Sequence, residues 1–217
     1  VSSDKPLIVA ASTPGREERL VIESLEGELG HTCRLLIAPR HPERFDAVAD
    51  LLEKSVYKFV RRKDGESSLD KDPDVILLDT IGELRTVYPL AEIVFVGGSL
   101  IPHGGQSIIE PASQGKAIVT GPFTTNFESV VKEFLDSDAI LQIPEERHDY
   151  ETTERLSEAL LDYLLEDPER RRTIGENAAA VFERSNRNAA EVTVESLKSL
   201  LDSNPLNNEN PDLKMVV

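Results

Sequence analysis

The chain has 217 residues, 39% hydrophobic and 29% charged, and its 24 Lys and Arg against 40 Asp and Glu give a formal charge of -16. That size suffices for one α/β domain with a sizeable core, and the acidity argues against nucleic acid or non-specific adhesion to anionic lipid, both of which need a surplus of Lys and Arg. One cysteine excludes an intrachain disulfide framework and fits a reducing compartment, and no stretch approaches the ~18 apolar residues of a membrane span.

In chain order, a strand over 7–11 leads through a turn of small residues into a helix over 17–29. Strand 34–38 opens just after Cys33, which reads as a buried small hydrophobe, and helix 43–53 follows it. Strand 58–60 precedes a charged, Ser-rich stretch, 61–73, expected to be a solvated loop. Strand 75–78 pairs with helix 82–88, strand 93–96 with helix 107–114, and strand 117–120 with helix 127–135. After strand 139–143 come closing helices over 152–166, 169–184 and 187–202, the first two parted by Asp167-Pro168, where proline suits a helix start. Short β-branched strands alternating with helices specify a Rossmann-like, doubly wound parallel sheet covered on both faces. The expected organisation is one domain over 1–203 and a polar tail over 204–217.

In such a sheet, ligands bind beyond the carboxyl ends of the strands, and unusual segments fall at those places. After the first strand comes Ala10-Ala11-Ser12-Thr13-Pro14-Gly15-Arg16-Glu17-Glu18, whose small residues let backbone approach a ligand and where Ser12 or Thr13 can cap the following helix. No Gly-x-Gly-x-x-Gly is present, which argues against a dinucleotide. Pro39-Arg40-His41-Pro42-Glu43-Arg44 follows the second strand, and Arg40 can offer forked donors to phosphate. The bland alternative pairs Arg40 or Arg44 with a nearby glutamate. In Asp79-Thr80-Ile81-Gly82-Glu83, Gly82 can turn backbone N–H groups toward a ligand and Glu83 can bond a hydroxyl, or Asp79 and Thr80 can simply cap a helix.

The strongest segment is Gly97-Gly98-Ser99-Leu100-Ile101-Pro102-His103-Gly104-Gly105-Gln106-Ser107-Ile108-Ile109-Glu110-Pro111. Four glycines in one connection cost entropy, and such loops usually bring backbone close to something. A helix starting near Ser107 would offer amides to an anion, with Ser107 and Glu110 on one face. His103 reads as a solvent-exposed loop residue. Thr120-Gly121-Pro122 makes a rigid turn, and Asn126 is a candidate cap. No histidine cluster has ligand spacing; neither a metal nor a cofactor is expected.

Together these segments, with Ala91-Glu92-Ile93-Val94-Phe95-Val96 and the late Ser185-Asn186-Arg187, resemble the 3-deoxy-D-manno-octulosonic acid (Kdo) transferases. The resemblance runs from about Lys5 to Leu201 and matches that family's C-terminal domain. It implies the C-terminal half of a GT-B glycosyltransferase, holding the donor CMP-Kdo and moving Kdo to a lipid A precursor in lipopolysaccharide biosynthesis. By position it assigns donor contacts to Pro39, Arg40, Ile81, Gly82, Glu83, Gly104, Gly105 and Glu110. Ser107 stands where the family commonly has asparagine, in a Gly-Gly-Gln-Ser that replaces Gly-Gly-His-Asn. The resemblance also implies that the acceptor domain, the catalytic base and a segment associating with the cytoplasmic face of the inner membrane precede this region. The chain alone would then be soluble and bind without turnover. Read from the residues alone, another GT-B glycosyltransferase or epimerase using a UDP-sugar, or a non-catalytic nucleotide-binding module, stays open.

Overall fold

Each of the seven predicted strand segments forms a strand in the computed structural model, which describes residues 5–65 and 72–202. They are β1 (Leu7–Thr13), β2 (Arg34–Pro39), β3 (Phe59–Arg61), β4 (Val75–Leu77), β5 (Ile93–Val96), β6 (Ala117–Thr120) and β7 (Leu141–Gln142). They make one parallel sheet in the order β3-β4-β2-β1-β5-β6-β7. Ile8 to Ala11 of β1 lie opposite Ile93 to Val96 of β5 on one side and Leu35 to Ala38 of β2 on the other. Both central neighbours are buried along their whole length, as expected of strands covered on both faces.

The helices are α1 (Glu17–Glu23), α2 (Glu28–Thr32), α3 (Phe45–Glu53), α4 (Leu84–Val87), α5 (Ile109–Ser113), α6 (Glu128–Asp136), α7 (Asp149–Leu160) and α8 (Pro168–Asp202). Ile8, Ala10, Leu35, Ile37, Val75 and Leu77 point from one face of the sheet into a cluster with Leu20, Leu25, Val48 and Leu52. Burying each such leucine or isoleucine is worth about 1.5–3 kcal/mol, so this layer fixes α1 and α3 against the strands whose ends carry the predicted loops.

Three expectations change. The helix predicted over 17–29 is two, because Gly27 at φ +87° interrupts it between α1 and α2. The two helices predicted over 169–184 and 187–202 are one, α8, because neither Gly nor Pro stands between them to stop it. Of the predicted loop 61–73, Arg61 closes β3 and Arg62–Asp64 form a 3-10 turn, while residues 66–71 lie outside the described ones. So do residues 203–217, and with them the predicted polar tail. The chain divides into two compact units, Val1–Val181 and Phe182–Val217, with α8 contributing to each. The first holds the sheet and every predicted site residue. In the second, Val192, Val194, Leu197 and Leu200 are exposed along the helix.

Candidate functional site

Because all strand pairs are parallel, the loops after β1, β2, β4, β5 and β6 emerge at one edge, and the sheet order reverses around β1. That reversal opens the crevice in which this class of fold binds ligands.

β2 ends at buried Pro39, and the backbone N–H of Arg40 donates to the Thr13 carbonyl of β1 at 2.9 Å. The Arg40 guanidinium is exposed and meets no acceptor among the described residues. Arg44 takes the glutamate-paired alternative instead: its Nη2 and Nε donate to Glu18 at 2.6 and 3.2 Å. After β4, buried Asp79 accepts the Arg61 Nε at 2.6 Å and the Lys63 N–H at 2.9 Å. The turn it anchors leaves Ile81 81% exposed. Glu83 accepts the Thr80 hydroxyl at 2.7 Å and pairs with Arg62 at 3.1 Å, so Thr80 serves Glu83 and not a helix end.

The glycine-rich loop is built by close backbone approach. A Cβ on Gly97 would lie 2.8 Å from the Thr13 Cα and 2.7 Å from Glu17 Oε2, so no other residue fits there. Ser99 Oγ donates to the Val96 carbonyl at 2.7 Å and accepts the Gly121 N–H at 2.8 Å, tying the loops after β5 and β6 together. Gly104 and Gly105 are buried with φ of +96° and +81°, and the Gly105 N–H donates to the Gly98 carbonyl at 2.7 Å. Asn126 caps no helix; its N–H and Nδ2 donate to the carbonyls of Gly104 (2.9 Å) and His103 (3.2 Å). Likewise neither Ser12 nor Thr13 caps α1, whose N-cap is Arg16.

α5 begins at Ile109, two residues later than the sequence suggests, so exposed Ser107 precedes its N-cap and accepts the Ile109 N–H at 3.4 Å. Glu110 is exposed in the first turn, and its charge, after burial, helps push the Tyr88 hydroxyl up. The backbone N–H groups of Gly82, Gln106 and Ser107 meet no protein acceptor among the described residues. Free amides and a cation at one sheet edge suit an anionic ligand. Helices as short as α4 and α5 add little dipole of their own.

Two residues here escaped notice as site residues. Glu17 is wholly buried, and its carboxylate accepts the N–H groups of Gly98, Ser99 and Leu100 at 2.6, 2.9 and 2.7 Å. Burial pushes its pKa up to about 7 against the pull of those amides, with the Glu18 charge adding to the rise. Glu18 is raised too, by burial opposed by Arg44. Cys33 is buried with its thiol pushed up to about 12, which makes it inert at neutral pH. Asp72-Pro73-Asp74 and Asp136-Ser137-Asp138 have the Asp-x-Asp spacing, but Asp72 pairs with Arg34, Asp74 accepts the Lys58 N–H and Asp136 pairs with Lys132. Among the described residues no group of three or more His, Cys, Asp or Glu is placed to hold a metal ion, and no helix is long and apolar enough to cross a membrane.

No protein-family model matches the chain. The relatives that do include two named 3-deoxy-D-manno-octulosonic acid transferase. That of Haemophilus influenzae is 34% identical over 203 residues, 93% of this chain and 45% of the relative. That of Bordetella pertussis is 32% identical over 208 residues, 92% of this chain and 46% of the relative. Among solved structures, the C-terminal CMP-Kdo binding domain of WaaA from Acinetobacter baumannii superposes with a TM-score of 0.74 at 32% identity, covering 82% of this chain and 90% of that domain. The chain belongs to the Kdo transferase family. It has the Rossmann-like fold of a GT-B C-terminal domain, and it spans about half the length of the two relatives.

In this Kdo transferase domain the predicted donor residues share one edge of the sheet but differ in freedom. Arg40, Ile81, Gly82, Ser107 and Glu110 are exposed, while Pro39, Gly104 and Gly105 are buried in the framework. Glu83 is already engaged by Arg62, a cation that lies in the stretch expected to be a solvated loop.

Proposed function

We propose that the chain is the donor-binding half of a glycosyltransferase that moves Kdo from CMP-Kdo to a lipid A precursor. The observation that carries this is its likeness, at 32% identity, to 90% of a CMP-Kdo binding domain. The chemistry at the sheet edge agrees. When the sugar leaves, CMP departs as a phosphate monoester, and negative charge grows on that phosphate. The Arg40 guanidinium and the free amides of Gly82, Gln106 and Ser107 are fixed positive potential for that charge. Glu110 is a candidate acceptor for ribose hydroxyls, and Ile81 an apolar surface for the base. The acceptor, the base that deprotonates its hydroxyl and attachment to the cytoplasmic face of the inner membrane belong in this proposal to the other half of the protein.

Calorimetric titration of the chain with CMP and UMP tests the reading. CMP should bind and UMP should bind more weakly. Arg40→Ala and Glu110→Ala should each weaken CMP by about ten- to a hundred-fold, the loss of a charge-assisted hydrogen bond at about 1.5–3 kcal/mol. Tighter binding of UMP than of CMP would point to a UDP-sugar enzyme, and unchanged affinity in both variants would take these residues out of the site.

A further inference from the structure

Consecutive amides turned toward one point form a nest for an anion, and after β5 the anion in the nest is the protein's own. The Glu17 carboxylate takes the amides of Gly98, Ser99 and Leu100, across more than eighty residues of sequence. Packing does not explain it. A wholly buried carboxylate pays desolvation that an apolar side chain at the same point of α1 would avoid. What the carboxylate does that an apolar group cannot is fix the orientation of the Gly98–Ser99 peptide, whose N–H it accepts from Ser99 at 2.9 Å. The other end of that peptide matters for the ligand, because the Gly98 carbonyl receives the Gly105 N–H at 2.7 Å, and the Gly104 carbonyl next to it receives the Asn126 N–H.

The adjacent residue does the same for a different loop. Glu18, its side chain fully buried, binds Arg44 at the end of the 3-10 turn that follows Arg40. Arg44 also reaches the Gly15 carbonyl at 3.3 Å. Successive helical residues point about 100° apart, so neighbours can serve two loops on either side of α1.

We infer that Glu17 and Glu18 are positioning residues for the donor: Glu17 sets the Gly104-Gly105 loop through the Gly98–Ser99 peptide, and Glu18 sets the Arg40 turn through Arg44. One turn of α1 thereby holds both sides of the crevice in register. The inference rests on the donor reading given above. The groups facing Glu17 are the three amides and the Glu18 carboxylate, and those facing Glu18 are Arg44 and His41. Protonation of Glu17 removes an acceptor from the nest and loosens the loop, so donor affinity falls as pH drops below about 7.

The test has two arms, both on the full chain. In nuclear magnetic resonance without ligand, the amide signals of Gly98, Ser99 and Leu100 titrate together near pH 7, the Gly105 amide follows them, and Glu17→Gln abolishes the shared transition. In calorimetry at pH 6, 7 and 8, Glu17→Gln weakens CMP at least tenfold at pH 8 and flattens the pH profile relative to the parent, a difference in which the phosphate's own titration cancels. Glu17→Asp, with the charge on a shorter arm, falls between the two. Glu18→Gln weakens CMP and leaves the Gly98 to Leu100 signals in place. A folded Glu17→Gln with the parent's affinity and pH profile overturns the inference. If that variant does not fold, a Gly105 amide that fails to follow Glu17 in the parent overturns it equally. A parent that binds no CMP sinks the donor reading, while the resonance arm still decides whether Glu17 governs Gly105.

Discussion

Ser107 stands where the resemblance implies an asparagine, and its surroundings admit either residue. The side chain is exposed, and among the described residues its only bond is the one it accepts from the Ile109 N–H at 3.4 Å, the long limit for a hydrogen bond. Asn can accept that N–H as well as Ser can, since the two rank together beside helix starts. It also adds a second donor and a longer reach toward the crevice. Ser107→Asn should therefore leave thermal stability within about 0.5 kcal/mol, the range of ordinary surface changes. It should hold CMP at least as tightly as the parent in calorimetry. A stable variant that binds CMP markedly more weakly would show that the loop after Gly105 has a geometry of its own, and the cytidine specificity would have to be withdrawn.

At the scale of elements, the central strands were legible because β2, β4, β5 and β6 are short runs buried along their whole length, the pattern a central parallel strand produces. Helix limits were less so, since periodicity continues through residues that the backbone does not. The segment 17–29 keeps its apolar spacing past Gly27, yet α1 gives way to turns after Glu23, and Gly27 at φ +87° stands as the N-cap of α2. Gly27→Ala tests that account. A Cβ at Gly27 would meet nothing within 4 Å, so the cost is the left-handed backbone alone, about 1 kcal/mol or more. Urea unfolding should show that loss with CMP affinity unchanged, because Gly27 touches no donor loop; no loss would mean the break has another cause. The loops of the site were legible by topology, as segments following strands. The groups that hold them were not. Two acids at a helix start are ordinary complements to the positive end, and that local explanation conceals Glu17 and Glu18, whose partners lie 81 to 83 and 26 residues away. Asn126 escaped for the same reason: its position suits a cap, and its partners Gly104 and His103 come from another connection.

For the whole molecule, the division into Val1–Val181 and Phe182–Val217 makes the donor proposal testable without any variant. Every predicted donor residue, and both glutamates that position the loops, lie in the first unit. A ligand that binds only the folded form stabilises it by mass action, about 2.7 kcal/mol at a hundred times its dissociation constant. A shift of about 2–4 °C per kcal/mol for a chain of this size then gives roughly 5–10 °C in the melting of the first unit. UMP at the same concentration should give less. Hydrogen exchange read by peptide mass adds location: with CMP, protection should rise in peptides spanning 39–45, 79–84 and 97–110 and stay level over 182–202. The 97–110 peptides carry the most information, because Glu17 and Asn126 already hold that loop, and further slowing there requires the ligand itself. Protection that rises only over 182–202 would place the nucleotide elsewhere and leave the crevice at β1 without its proposed occupant.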